Sequence, residues 1–214
     1  MKYQKTLKQT FHDFMDGKIK LKTYQKVGIM FLVVVIAGFI GWVYEFLLAW
    51  FENGHIYMKG GNLLPWMNIY AIGAVLLVPI VWKLKKYPWA VFLVSALVTG
   101  IVELLGGWLV YIIGNGTRYW NYCDGPWAFG SINGFVCVLS VICFGLSALL
   151  LAYVVLPLCI HLALKMSKRA FLTLAISLFV LIMADEITNL TLKNLNLPNA
   201  MNLYESLGLK YQSF

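Results

Sequence analysis

The chain has 214 residues, 61% hydrophobic and 12% charged, with a mean hydropathy of +0.76 and a formal net charge of +8. Soluble domains carry about 25% charged residues, so this composition excludes an ordinary soluble domain and implies an all-α polytopic transmembrane helical bundle. The basic excess follows membrane topology and anionic lipid contact, so the lipid bilayer is the expected partner and nucleic acid is not.

Residues 1–16 open with Tyr3, Leu7, Phe11 and Phe14 at spacings of 4, 4 and 3, while Lys5, Lys8 and Asp13 fall elsewhere. This is the pattern of an amphipathic helix lying on the cytoplasmic leaflet, the alternative being a frayed tail. Gly17 ends it, and a basic stretch with Ile19 and Leu21 completes a cytoplasmic N-terminal segment, 1–26. A transmembrane domain follows over 27–191, then a C-terminal tail over 192–214. Five runs within the domain reach the length of about 20 residues that a span needs: roughly 27–51, 64–82, 89–113, 131–157 and 171–191. The first is longer than a signal-peptide core and follows 26 mostly polar residues, so it reads as a retained span.

The positive charges alternate with these runs. Lys2, Lys5, Lys8, Lys18, Lys20, Lys22 and Lys26 precede the first, Lys83, Lys85 and Lys86 follow the second, and Lys165, Lys168 and Arg169 follow the fourth. The opposite side carries Lys59, Arg118, Lys193 and Lys210. Positive charge gathers in the cytoplasm, which predicts a cytoplasmic N-terminus and an extracytoplasmic C-terminus. Trp50, Trp66, Trp108, Trp120 and Trp127 then fall near the outer boundary and Trp82 and Trp89 near the inner one, as interfacial belts. Trp42 lies deeper, as a packing residue.

Two acids stand inside the apolar runs, Glu45 in the first and Glu103 in the third. An ionisable side chain at membrane depth costs about 3 kcal/mol on insertion scales and faces a bundle interior or a water-filled cavity. Each lies on a stripe of small residues: Gly38, Gly41, Glu45 and Ala49 in one, Ala96, Thr99, Glu103 and Gly106 in the other. Small residues let helices approach closely, so each Glu should face another helix.

The neighbourhoods match. Trp50 and Trp108 each follow their Glu by five, and Pro65 to Gly73 repeats the eight-residue spacing of Pro126 to Gly134. This predicts two parallel helical-hairpin repeats, about 27–82 and 89–157, plus a fifth helix over about 171–191, with a site at the repeat interface. The apolar part of the fifth run, 170–184, crosses only by continuing through Asp185, Glu186, Thr188 and Asn189. Those acids read as a solvated helix end or a buried site, the former favoured. The 114–130 loop is rich in aromatics and holds Arg118, Trp120 and Asp124. It caps an outward-facing cavity, with Arg118 near Asp124 or another carboxylate, or serves as an interfacial anchor.

No C-x-x-C spacing, H-E-x-x-H or G-x-S-x-G occurs, and His12, His55 and His161 are scattered. Cys137, Cys143 and Cys159 read as buried hydrophobes and Cys123 stands alone, so no structural disulfide is expected. No catalytic residue, metal ligand or cofactor is assigned, and the chain is read as a non-enzyme. There is no G-x-x-x-x-G-K-[ST] run, so an ATP-driven role needs a separate subunit.

Gly41-Trp42-Val43-Tyr44-Glu45, Glu52-Asn53-Gly54, Lys59-Gly60, Ile69-Tyr70 and Gly73 form an ordered series. It continues with Glu103, Trp108, Trp120-Asn121-Tyr122, Asn133-Gly134 and Phe144-Gly145. Over 38 to about 145 the chain resembles the CmpB-type membrane proteins, a family of small polytopic ABC-transporter permease type. The resemblance implies a transport role in a bacterial cell membrane and supplies no established substrate. Asn121, Phe135 and Asn68 stand where such proteins often have Asp, Arg and Pro, which implies a different or weakened site.

Three readings remain open. The first is a permease-like transporter or solute-binding membrane subunit for a small polar or cationic solute. Glu45 and Glu103 form its polar site, with Asn68, Asn133 and Tyr70 as neutral ligands and Arg118 and Trp120 in the capping loop. The second is a structural or regulatory membrane protein, such as a membrane-complex subunit or lipid-interacting factor, in which the acids are interhelical contacts. The third, an intramembrane enzyme built on an acid pair, lacks a nucleophile or metal. A homo-oligomer or a separate partner subunit is expected, because four or five helices rarely enclose a wide pathway alone.

Overall fold

A computed structural model of the chain describes residues 6–54, 57–58, 62–116, 118 and 120–211. Lys2, Tyr3, Lys5, His55, Lys59 and Gly60, discussed above, lie outside the described residues, as do Thr117 and Tyr119 of the long loop. A short helix, α1 (Leu7–Met15), precedes five longer ones that run alternately up and down: α2 (Thr23–Asn53), α3 (Asn68–Leu84), α4 (Pro88–Ile113), α5 (Val138–Lys165) and α6 (Lys168–Asn194). A last short helix, α7 (Ala200–Ser206), follows. The described strands are two residues each, β1 (Tyr57–Met58) paired in parallel with β2 (Lys210–Tyr211).

Among the described residues four helices, α2, α4, α5 and α6, are long and apolar enough to cross a membrane. Only 17–33% of their most apolar windows is buried inside the protein, leaving the remaining surface to a bilayer. The 17-residue α3 is shorter. At 1.5 Å per residue it measures about 25 Å, less than the roughly 30 Å of a hydrocarbon core.

The predicted run 64–82 therefore differs from the helix at 68–84, and Pro65 explains why. The residue before a proline is pushed out of the helical region, so 62–67 is non-helical. Irregular backbone at membrane depth must be satisfied within the protein. Met67 N–H donates to the Gly38 carbonyl on α2 at 3.1 Å. Leu64 N–H donates to Asp185 of α6 at 2.7 Å, and the Trp66 indole N–H donates to the Val34 carbonyl at 3.2 Å. Trp66 is 3% exposed, so it is a packing residue and not part of the outer belt predicted for it.

The predicted run 131–157 shifts likewise, to 138–165. Asn133 and Gly134 take consecutive positive φ values, 52° and 73°, which makes a type I′ turn between Ile132 and Phe135. The helix starts beyond it at Cys137, whose sulfur accepts from the Ser140 N–H. It then widens into a π-turn over Leu151–Val155, just before Pro157, which lacks the N–H that would close the normal helical bond.

The apolar core occupies one half of the bundle. Val33 of α2, Val81 of α3, Val91 of α4, Leu156 and Ile160 of α5 and Phe171 of α6 are all nearly inaccessible. The N-terminal helix closes that end. Thr6 and Gln9 cap α1 reciprocally, its Phe14 is 1% exposed, and the Phe14 ring meets Trp82 edge-on at 5.0 Å. Buried Thr10 bonds to His161 of α5 at 3.1 Å. The apolar face predicted for this helix, at Phe14 and with Thr10 beside it, packs on the end of the bundle.

Candidate functional site

Opposite the apolar core, polar side chains enter the bundle from α2, α3, α4 and α5. On α2 the small-residue stripe does what its spacing predicts. Gly38 lies against the Trp66 indole, Gly41 against the Tyr70 ring, and Ala49 is buried. That close approach lets the Tyr70 hydroxyl donate to Glu45 Oε1 at 2.6 Å. Tyr70 also meets Tyr44 edge-on, with ring centroids 6.1 Å apart, and Phe144 of α5 at 6.4 Å.

On α4, Glu103 accepts two hydroxyl hydrogen bonds. Tyr122 donates to Oε1 and Ser140, at the start of α5, donates to Oε2, each at 2.8 Å. Among the described residues its partners are hydroxyls, not a cation. The glycine in its packing face is Gly107, which meets Phe135 and Trp120, together with Gly100 against Val141. Gly106, predicted to face a neighbour, has open space around it.

The loop aims Tyr122 with a set of local bonds. Tyr122 N–H donates to the Gly134 carbonyl at 3.0 Å, and the phenol ring stacks on Trp127 at 5.5 Å. The Trp120 indole N–H donates to the Phe135 carbonyl at 2.8 Å, pinning the chain two residues upstream. Burial holds the Tyr122 phenol well above its ordinary pKa, and the Glu103 carboxylate and then Glu45 push it further up. Tyr122 therefore stays a proton donor, and both acids act on it. It is the loop residue that reaches Glu103, and sequence reasoning missed it. Its only advance signal was its place beside Trp120-Asn121.

The other predicted ligands go elsewhere. Asn68 opens α3 and donates to Glu186 of α6 at 3.1 Å, beside Asn62, which donates to the same carboxylate. Asp185 accepts from Leu63 and Leu64 N–H, and buried Asn189 donates to it. The solvated-end reading of Asp185 and Glu186 thus gives way to a second polar cluster, which clamps 62–68 onto α6. Asn189 Oδ1 also accepts from Ala200 N–H, and Tyr204 donates to the Leu63 carbonyl, so α7 is tied to the same cluster.

Asn133 contributes its turn and its carbonyl, not its exposed amide. The Arg118 guanidinium donates to that carbonyl through Nη1, and weakly to Asn121 Oδ1. It stacks over Phe135 at 4.7 Å and Tyr111 at 5.2 Å. The carboxylate partner expected for Arg118 is not found: among the described residues it forms no ion pair. It lines an open groove of about 520 Å³ with Trp108, Ile112 and Cys123.

The two hairpins α2–α3 and α4–α5 are the most extensive helix pairings. Their matched Pro and Gly residues nevertheless occupy unlike backbones. Gly73 sits inside α3 with open space, whereas Gly134 is in the turn, against Arg118, Asn121 and Cys123. Each acid takes a tyrosine, but Tyr70 follows Glu45 by 25 residues and Tyr122 follows Glu103 by 19. All four cysteines are free. No group of three His, Cys, Asp or Glu side chains that could hold a metal forms among the described residues.

A family model described as "Putative ABC-transporter type IV" (CmpB) matches residues 30–190. No curated protein and no solved structure matches the chain.

Proposed function

The chain belongs to this CmpB-type family, and from that premise we propose that it is a permease-like transporter or solute-binding membrane subunit whose polar site is built on Glu45 and Glu103. What supports the proposal is that two acids within apolar helices each accept from a tyrosine, and we read them together as one polar centre. Such a centre suits a small polar or cationic solute, since carboxylates can replace its hydration and exchange their tyrosine donors for it. Tyr70, Tyr122 and Ser140 are its neutral ligands, and Arg118 and Trp120 position the loop that carries Tyr122. Non-enzymatic function accords with the transporter type of the family.

Topology is part of the same proposal. The domain 27–191 crosses five times as two parallel hairpins and a fifth helix, with 62–67 completing the short α3 crossing. The segment 1–26 is cytoplasmic and the tail 192–214 extracytoplasmic, in the cell membrane. A C-terminal alkaline phosphatase fusion should be active and a C-terminal fluorescent-protein fusion dark. The reverse pattern removes the fifth crossing. An ATP-driven cycle would require a separate subunit, and a second copy of the chain is the other partner in view.

One observation favours a structural subunit instead: each acid already has hydroxyl donors from another element, as an interhelical packing contact has. Solvent access separates the two readings. Each Glu is replaced singly by Cys in a background lacking the four native cysteines, then treated from outside with a membrane-impermeant thiol reagent. Labelling at 45 and 103 is the expected result, because a solute path is wet. Protection at both, in folded protein, replaces the transport reading with the structural one.

A further inference from the structure

The groove at the outer end of α4 is separate from the acid centre and carries the opposite charge. Arg118 supplies that charge, and its recorded acceptors are neutral, the Asn133 carbonyl and the Asn121 amide oxygen. Both are taken by Nη1, so Nε and Nη2 have no acceptor among the described residues. Its Cζ lies 4.7 Å from the Phe135 ring centroid and 5.2 Å from that of Tyr111. A guanidinium fork with no acidic partner among the described residues matches the paired oxygens of a phosphoryl group.

Apart from Asn133 and Cys123, the remaining wall is apolar or aromatic and open. Trp108 is 55% exposed and Ile112 53% exposed, on the last turns of a helix long enough to span a membrane. A free anion would gain nothing from that wall, whereas an amphiphile would place its chain along Trp108 and Ile112 and its head at Arg118. Arginine at the head-group level and an indole at the boundary are the side chains that meet lipid there. We propose that this groove is a binding site for the phosphate head of an anionic phospholipid of the outer leaflet. The groove takes none of Glu45, Glu103, Tyr70, Tyr122 or Ser140 as a ligand, though Arg118 also positions the Tyr122 loop, and its outer-leaflet placement rests on the topology proposed above.

The test is native mass spectrometry of the full chain in detergent, titrated with phosphatidylglycerol, alongside thermal unfolding with phosphatidylglycerol, neutral diacylglycerol or inorganic phosphate. Cytoplasmic lysines also bind anionic lipid, so the readout is the difference between wild type and Arg118→Gln. The variant should lose one retained lipid, with that site weakened about tenfold, and inorganic phosphate should not stabilise either protein. Equal retention by both proteins overturns the proposal. Stabilisation of wild type alone by inorganic phosphate, matching that by lipid, overturns the lipid source in favour of a dissolved anion. If Arg118→Gln fails to fold, Ile112→Glu serves. Its exposed position spares the core, and its charge should expel the head group, so unchanged retention would again refute the site.

Discussion

Gly41→Ala should lower the thermal stability of the purified protein by several degrees, while Gly73→Ala leaves it unchanged or raises it. Both glycines lie inside helices, where Ala is intrinsically favoured by up to about 1 kcal/mol. Gly73 has open space around it, so that gain is available. A Cβ at Gly41 would collide with Cβ, Cγ and Cδ2 of Tyr70. These are the base of the side chain, not its mobile tip, so α3 or the whole tyrosine must move. Overpacking of this kind typically costs about 1–3 kcal/mol. Movement of Tyr70 also breaks its 2.6 Å bond to Glu45, which adds roughly 0.6–2 kcal/mol for a hydrogen bond within a membrane. Gly41→Leu should enlarge both terms and prevent assembly. Equal melting temperatures for the two alanine variants would mean that α2 and α3 are not in this contact.

Glu103→Leu should abolish any transport or ligand stabilisation and destabilise the fold by about 1–2 kcal/mol. The structural part falls on Tyr122. Ser140 has a second acceptor in the Cys137 carbonyl at 2.9 Å, so its hydroxyl stays paired. Tyr122 loses its recorded partner, and an orphaned buried donor costs about 1–3 kcal/mol, offset in part because a buried carboxylate is removed as well. Tyr122→Phe in the same chain should restore the melting temperature without restoring function. Glu103→Gln keeps an acceptor for Tyr122, so it should fold like the wild type and still lose function. A fully active Gln variant would show that charge at this position plays no part in the mechanism.

Composition and run length already determined a helical membrane protein, and the ordered motifs determined its family. These properties are local or additive, so each can be read from a stretch of chain without knowing its neighbours. The stripe at Gly38, Gly41 and Glu45 was legible for the same reason, since helical periodicity alone decides which residues share a face. On α4 the stripe held at Ala96 and Glu103 and failed at its last member, where Gly107 and not Gly106 packs, because two adjacent glycines do not discriminate between faces until Phe135 and Trp120 pack there. Helix starts were misplaced where one turn overrode an apolar run: Pro65 before α3, and the Asn133-Gly134 turn before α5. The pairings that make the site lay beyond sequence. Tyr122 reaches Glu103 from a loop aimed by bonds to Gly134 and Phe135, and Asn68 turns to Glu186 more than a hundred residues away. Only tertiary structure decides such contacts, because a buried acid accepts whichever donor the packing of distant segments delivers to it.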